Sequence, residues 1–188
     1  MPAFRFRLAF LLVLCSGTLL AGQAQGAAER GSWLIQTSVW TTHFSPEPDH
    51  DNRQRLINVE WLAPDDYRFD WQIGWDDIPR RSGWLADVRW LAGAATFRNS
   101  FSQRSYYVYG GGRYDFVDAG PSRVYGKLTA GLLHGYRGEH RDKIPFNRFG
   151  TAPAIVPAFG VEHRGLNLEV IPFGTAGMML NVGFYLNR

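Results

Sequence analysis

The chain has 188 residues, a one-domain length. Its formal charge is only +3, with arginines and aspartates scattered rather than run together, which excludes a nucleic-acid stripe. Aromatic residues make up 15%, including 7 Trp and 8 Tyr, rich for a soluble domain and suited to a protein with two aromatic interface girdles.

The first segment reads as a secretory leader. Arg5 and Arg7 precede an apolar run from Leu8 to Leu14 and on to Leu20, and small residues follow from Ala21 to Ala28. The run is too short for a comfortable membrane helix. Residues 1–28 are therefore expected to be a signal peptide cut between Ala24 and Ala28, with 29–188 the exported domain. Cys15 lies inside the apolar run behind Leu14, whereas a lipobox needs a small residue there. The one cysteine then leaves with the leader, which excludes a disulfide and a thiolate metal site in the mature chain.

Beyond residue 28 no 18-residue apolar run recurs, and period-2 alternation dominates between clusters of Gly, Pro, Asn and Asp. Eight strands are predicted. The first four are Trp33 to Phe44, Gln54 to Leu62, Trp84 to Phe97 and Arg104 to Phe116. Arg123 to Tyr136, Ala152 to Glu162, Leu166 to Ile171 and Gly177 to Leu186 complete the set. In the second, Leu56, Asn58, Glu60 and Leu62 share one face, and Ile57, Val59 and Trp61 share the other. Tyr67 to Trp75 also alternates. Bacterial single-chain barrels use even strand numbers, so residues 64–83 read as an insertion, or as a full hairpin in a ten-strand barrel.

Strands of this length span a hydrocarbon layer when tilted, and several carry Trp or Tyr near their ends. The fold class expected is all-β: an eight-stranded antiparallel outer-membrane β-barrel. A secreted soluble barrel or sandwich shares the alternation. Small residues (Ala92, Gly93, Ala94, Ala95, Gly110, Gly111, Gly112, Ala130, Gly131) either leave an internal ligand cavity or serve close strand packing.

Three segments carry a family resemblance. The first is Ala94 to Phe101 leading to Tyr109-Gly110-Gly111. The second is Leu128 to Leu132, followed by a long loop containing Ile144-Pro145-Phe146. The third is Ile155 to Val161, then Glu169 to Gly174. Their order and spacing resemble the lipid A palmitoyltransferases (PagP), as a divergent branch without room for the N-terminal amphipathic helix. The resemblance implies an eight-stranded outer-membrane barrel with an interior acyl-chain pocket, moving a palmitoyl chain from a phospholipid to lipid A. It implies no cofactor and a monomer. It places the family's catalytic Ser at Ser100, its Asp at Asn99, a departure, and its His at His43. It sets Gly111 at the floor of the acyl pocket.

His43 can serve as a base near neutral pH, and Ser100 as nucleophile, oxyanion donor or substrate positioner. Asn99 cannot stabilise an imidazolium as Asp would. Proline removes a ladder donor, so Pro157 and Pro172 in adjacent strands either open a gap in the wall or mark a strand end or bulge. His134, Glu139 and His140 match no standard metal spacing and read as a charged loop. His50 with Asp49 and Asp51 reads as a solvated loop, and Arg53, Arg55, Arg137, Arg141 and Lys143 as candidate contacts for lipid A phosphates. A lipid A deacylase or phospholipase, and a structural barrel without activity, are the competing readings.

Overall fold

A computed structural model describes residues 31–45, 55–64 and 87–186. The expected signal peptide, the cysteine within it, the Asp49-His50-Asp51 cluster, Arg53 and nearly all of the 64–83 insertion lie outside the described residues.

Alternating chains form strands, and here the strands close on themselves. They are β1 (Ser32–His43), β2 (Ile57–Leu62), β3 (Arg89–Arg98), β4 (Arg104–Ala119), β5 (Ser122–His134), β6 (Thr151–His163), β7 (Leu166–Pro172) and β8 (Gly177–Leu186). Each pairs antiparallel with its sequence neighbour, and β8 pairs with β1. β3 is described from Arg89, its expected start at Trp84 lying outside the described residues; the other starts and ends lie within about three residues of expectation. Two-residue turns join β4 to β5 and β6 to β7 at one end, where the connection of residues 63–88 between β2 and β3 also lies. Arg164 and Gly165 both have positive φ, 51° and 81°, as a type I′ hairpin demands, and Gly120 (φ 63°) opens the β4–β5 turn. The opposite end carries the connections of residues 44–56, 99–103, 135–150 and 173–176, with a short 3-10 helix at Gly138–Lys143.

The polarity is inverted relative to a soluble protein. Ile57, Val108, Leu128, Leu132, Ile155, Phe159, Leu168 and Val182 face outward and exposed. Trp40, Phe44 and Tyr106 sit toward the loop end of this band, and Trp33, Trp90, Phe116 and Phe184 toward the turn end. An apolar belt between aromatic girdles is the exterior of an outer-membrane barrel. No helix among the described residues is long and apolar enough to cross a membrane, and the strands do the crossing. The second strand shows the inversion directly: Asn58, Glu60 and Leu62 are buried inside, while Ile57 and Val59 face out.

Polar side chains inside a closed barrel must satisfy one another. Near the turn end, fully buried Arg113 binds Asp115 Oδ1 at 2.6 Å, Glu162 Oε2 at 3.0 Å and Tyr185 Oη at 2.7 Å, and lies 3.8 Å over the Tyr125 ring. At mid-barrel, Lys127 Nζ bridges Glu60 (2.9 Å) and Glu169 (2.7 Å). Gln36, Asn58, Asn167 and Tyr125 extend this network by side-chain hydrogen bonds of 2.6–2.9 Å. Gly93 and Gly160 face inward and make room for buried tyrosine rings. A Cβ on Gly93 would lie 2.5 Å from Tyr109 Oη, and one on Gly160 would overlap Tyr125. Ala92, Gly110 and Ala130 face outward, so the small residues divide between close packing and the outer surface.

The ladder is incomplete in one place that matters. β6 and β7 pair from His163↔Leu166 to Phe159↔Val170 and then stop. Two rungs further on, Pro157 would stand opposite Pro172. The β5–β6 ladder runs without a break past Pro153 and Pro157, so the missing donors fall on the β7 side.

Replacing Arg113 with Ala leaves Glu162 and Asp115 without their buried cation. We expect a loss of about 3–5 kcal/mol, read as the urea midpoint of the barrel in lipid vesicles. Arg141→Ala, which removes only an exposed pair with Asp142, should leave the midpoint unchanged.

Candidate active site

His43 reaches the interior only because β1 is irregular. Leu34 and Gln36 point inward, and simple alternation would turn His43 outward with Trp33 and Ile35. A register shift between Ser38 and Trp40 reverses the parity, so that Thr41 and His43 are buried. His43 pairs with Gly177 of β8, where a Cβ would strike the Thr42 carbonyl oxygen.

Across the barrel mouth, β3 ends at Arg98 and a tight loop follows. Asn99 organises it. Its Oδ1 accepts hydrogen bonds from the backbone N–H of Phe101 and of Gln103, both at 3.0 Å, and its own N–H donates to the Gln103 carbonyl. The loop delivers Ser100 to the mouth, with Ser100 Oγ 2.7 Å from His43 Nε2. Residues separated by 57 positions thus form one hydrogen-bonded pair.

The two acceptor bonds also fix which way the Asn99 amide points. With Oδ1 taken by the loop, Nδ2 is turned away from it. That nitrogen is buried without a partner, and Asn99 lines the internal cavity beside Ser100.

The cavity occupies about 630 Å³ in the loop half of the barrel. Phe97, Leu133, Val156, Ile171 and Met179 form apolar walls, and Tyr109, Lys127, Glu169 and Asn181 form a polar floor. Outward-facing Pro153, Ile155, Pro157 and Pro172 are also among its lining residues, so the space extends through the unpaired β6–β7 seam to the lipid face. Gly111 is not brought to the cavity. It sits beyond the floor, where a Cβ would collide with the Leu128 carbonyl oxygen, so its small size serves the β4–β5 contact.

The loop from Gly135 to Gly150 covers part of the mouth. Its Arg137 N–H donates to Gln103 Oε1 at 2.9 Å, and Gln103 Nε2 returns a bond to the Arg137 carbonyl. Phe101 stacks on His140 with centroids 4.0 Å apart, and Lys143 Nζ lies 5.5 Å over the same ring. Tyr136, Lys143, Ile144 and Pro145 line the cavity from above. Burial pushes the Tyr136 hydroxyl up to about 12, so it stays protonated at physiological pH. His134, Glu139 and His140 do not converge: His134 Nδ1 bonds Thr151 Oγ1 at 2.8 Å and its Nε2 meets Arg137, while His140 is stacked away on Phe101.

The sequence-predicted residues therefore separate into three sets. His43, Ser100 and Asn99 converge at the mouth, Pro157 and Pro172 flank the seam, and Gly111 stands apart. Sequence reading missed the polar floor of Lys127, Glu169 and Asn181, although charged and amide residues amid alternating apolar strands are a legible sign of a polar barrel interior.

Among solved structures, the chain is similar to the backbone structure of the Yersinia pestis outer membrane protein Ail in a phospholipid bilayer nanodisc. Identity is 15%, the match covers 84% of this chain and 100% of that chain, and the TM-score is 0.36. No protein-family model and no curated protein matches the sequence.

If Asn99 Oδ1 holds the loop, Asn99→Ala should release it and expose Phe101. Chymotryptic cleavage after Phe101 is expected to rise about tenfold or more in Asn99→Ala and to stay at the wild-type rate in Asn99→Asp, which keeps the acceptor oxygen. Mass spectrometry of the fragments reads the result.

Proposed function

We propose that this barrel is an outer-membrane acyltransferase that moves a fatty acyl chain, palmitoyl in the related family, from a phospholipid to lipid A. The observation that carries the reading is the His43–Ser100 hydrogen bond at the mouth of an apolar cavity. Histidine within bonding distance of a hydroxyl is the arrangement that activates oxygen nucleophiles. The β6–β7 seam supports entry of a lipid tail from the bilayer plane, because that stretch has no ladder to break.

In this reading the phospholipid tail lies in the cavity with its ester carbonyl beside Ser100. His43 takes the proton of the acceptor hydroxyl, directly or through Ser100 Oγ. The acceptor oxygen attacks the carbonyl carbon. As the tetrahedral intermediate collapses, the bond to the phospholipid oxygen breaks, and the lysophospholipid leaves with that proton. Asn99 Nδ2, buried without a partner on a residue that lines the cavity, would donate to the developing oxyanion. Asparagine in place of the family's aspartate then serves as an electrophilic donor rather than an acidic partner of His43.

The charge of the described loop end fits an anionic acceptor. Arg55, Arg98, Arg104, Arg137, Arg141, Lys143 and Arg148 lie there against Glu139 and Asp142. Basic residues at the headgroup level favour phosphorylated lipids such as lipid A. The same His43–Ser100 pair can direct water onto an ester, so a lipid A deacylase or phospholipase is the second reading.

Mass spectrometry of lipid A from cells with and without the protein separates the readings: one acyl chain gained, one lost, or no change. We expect a gain. His43→Ala should reduce transfer by about 10²–10⁴ with folding intact; retained transfer would remove His43 from the chemistry. Asn99→Asp keeps the loop but exchanges the donor for an acceptor, and transfer should fall by about 10²–10³. Unchanged or higher transfer in that variant would instead give the position the acidic role of the related family.

A further inference from the structure

We propose that the cavity floor is a hydrogen-bonding subsite for a hydroxyl group carried on the inner end of an apolar chain. The inference rests on the reading of the cavity as a lipid-chain pocket and adds a specificity to it.

A pocket built only to hold hydrocarbon would end on hydrocarbon. This one ends on Lys127, Glu169 and Asn181, each buried and each lining the cavity. Most of their hydrogen-bonding capacity is spent within the wall. Glu169 Oε2 accepts from Lys127 Nζ at 2.7 Å and from Tyr125 Oη at 2.9 Å, and Lys127 also holds Glu60. Three atoms are left over: Glu169 Oε1 and both amide atoms of Asn181, all buried and without a partner. They belong to residues directly opposed across β7 and β8, so the unspent capacity is gathered at one spot.

The chemistry of that spot selects its occupant. A plain alkyl end strands an acceptor of Glu169 and the amide of Asn181, which is costly in a buried site. A hydroxyl supplies one donor and two lone pairs, so it can donate to Glu169 Oε1 and accept from Asn181 Nδ2. A carboxylate or phosphate is repelled by Glu169 and Glu60, and an ammonium is repelled by Lys127 on the same carboxylate. The position along the chain follows from the register. His43 pairs with Gly177, and Glu169 pairs with Asn181, four residues further along β8. That places the subsite about 13 Å along the strand from the reacting pair. The hydroxyl therefore belongs far from the ester, not beside it.

The test is equilibrium binding to the purified full barrel in amphipol, followed by isothermal titration calorimetry. The probes are octanoate, dodecanoate and hexadecanoate with their terminally hydroxylated counterparts. At the length that reaches the floor, the hydroxylated chain should bind at least about tenfold tighter than its plain partner. Asn181→Leu should cut that preference to about twofold or less while plain chains bind as well or better. Asn181→Ala gives the same readout should the leucine variant fail to fold, as judged by heat-modifiable migration. Equal affinities in the wild type, as expected if a floor water serves both chains, overturn the subsite and leave the lipid pocket standing. A preference that persists in both variants also overturns it. Failure of every chain to bind overturns the subsite and the lipid-pocket reading together.

Discussion

A backbone N–H or C=O in hydrocarbon has no water to turn to, and this constraint organises the molecule. Closing β8 onto β1 gives the strands partners on both sides and leaves an exterior of apolar side chains that lipid can solvate. The same closure drives polar side chains inward, where they must pair with one another. Arg113 with Glu162 and Asp115, and Lys127 with Glu60 and Glu169, are the outcome. Buried ion pairs of this kind add little net stability but are expensive to leave half made, so they enforce one arrangement of the barrel interior.

Against so strict a rule, the departures are informative. The β6–β7 ladder stops where two prolines would face each other. Asn99 Nδ2 is buried at the mouth with no acceptor, and Glu169 Oε1 and the Asn181 amide are buried at the floor with none. Wall, mouth and floor of a single cavity thus each hold capacity that the fold leaves unspent. In the proposed function a lipid that enters through the wall, reacts at the mouth and rests on the floor would meet all three.

The loop that carries Ser100 shows how a small turn places a side chain. Asn99 Oδ1 closes the turn, Phe101 and Gln103 anchor the 135–150 loop above it, and the serine is held 2.7 Å from a histidine on the far side of the mouth. A closed barrel and a capped loop together give the pair a defined geometry.

The eight strands and their antiparallel order were legible in the sequence, because alternation in segments of membrane-spanning length suits a closed barrel, although a soluble barrel or sandwich shares that pattern. Motif order brought His43, Asn99, Ser100, Pro157 and Pro172 to notice. Only the tertiary structure decided how they are placed relative to one another. A register shift at Ser38 and Trp40 turns His43 inward, and strict alternation would have placed it in lipid. The β6–β7 ladder stops two rungs short of where Pro157 and Pro172 would meet, and two backbone donors orient the Asn99 amide. Gly111 faces a neighbouring strand rather than the cavity, since only the packed backbone shows that a Cβ has nowhere to go. Period-2 patterns say which residues share a face; a bulge, a register and the partner of a side-chain oxygen are set by contacts between strands far apart in the chain.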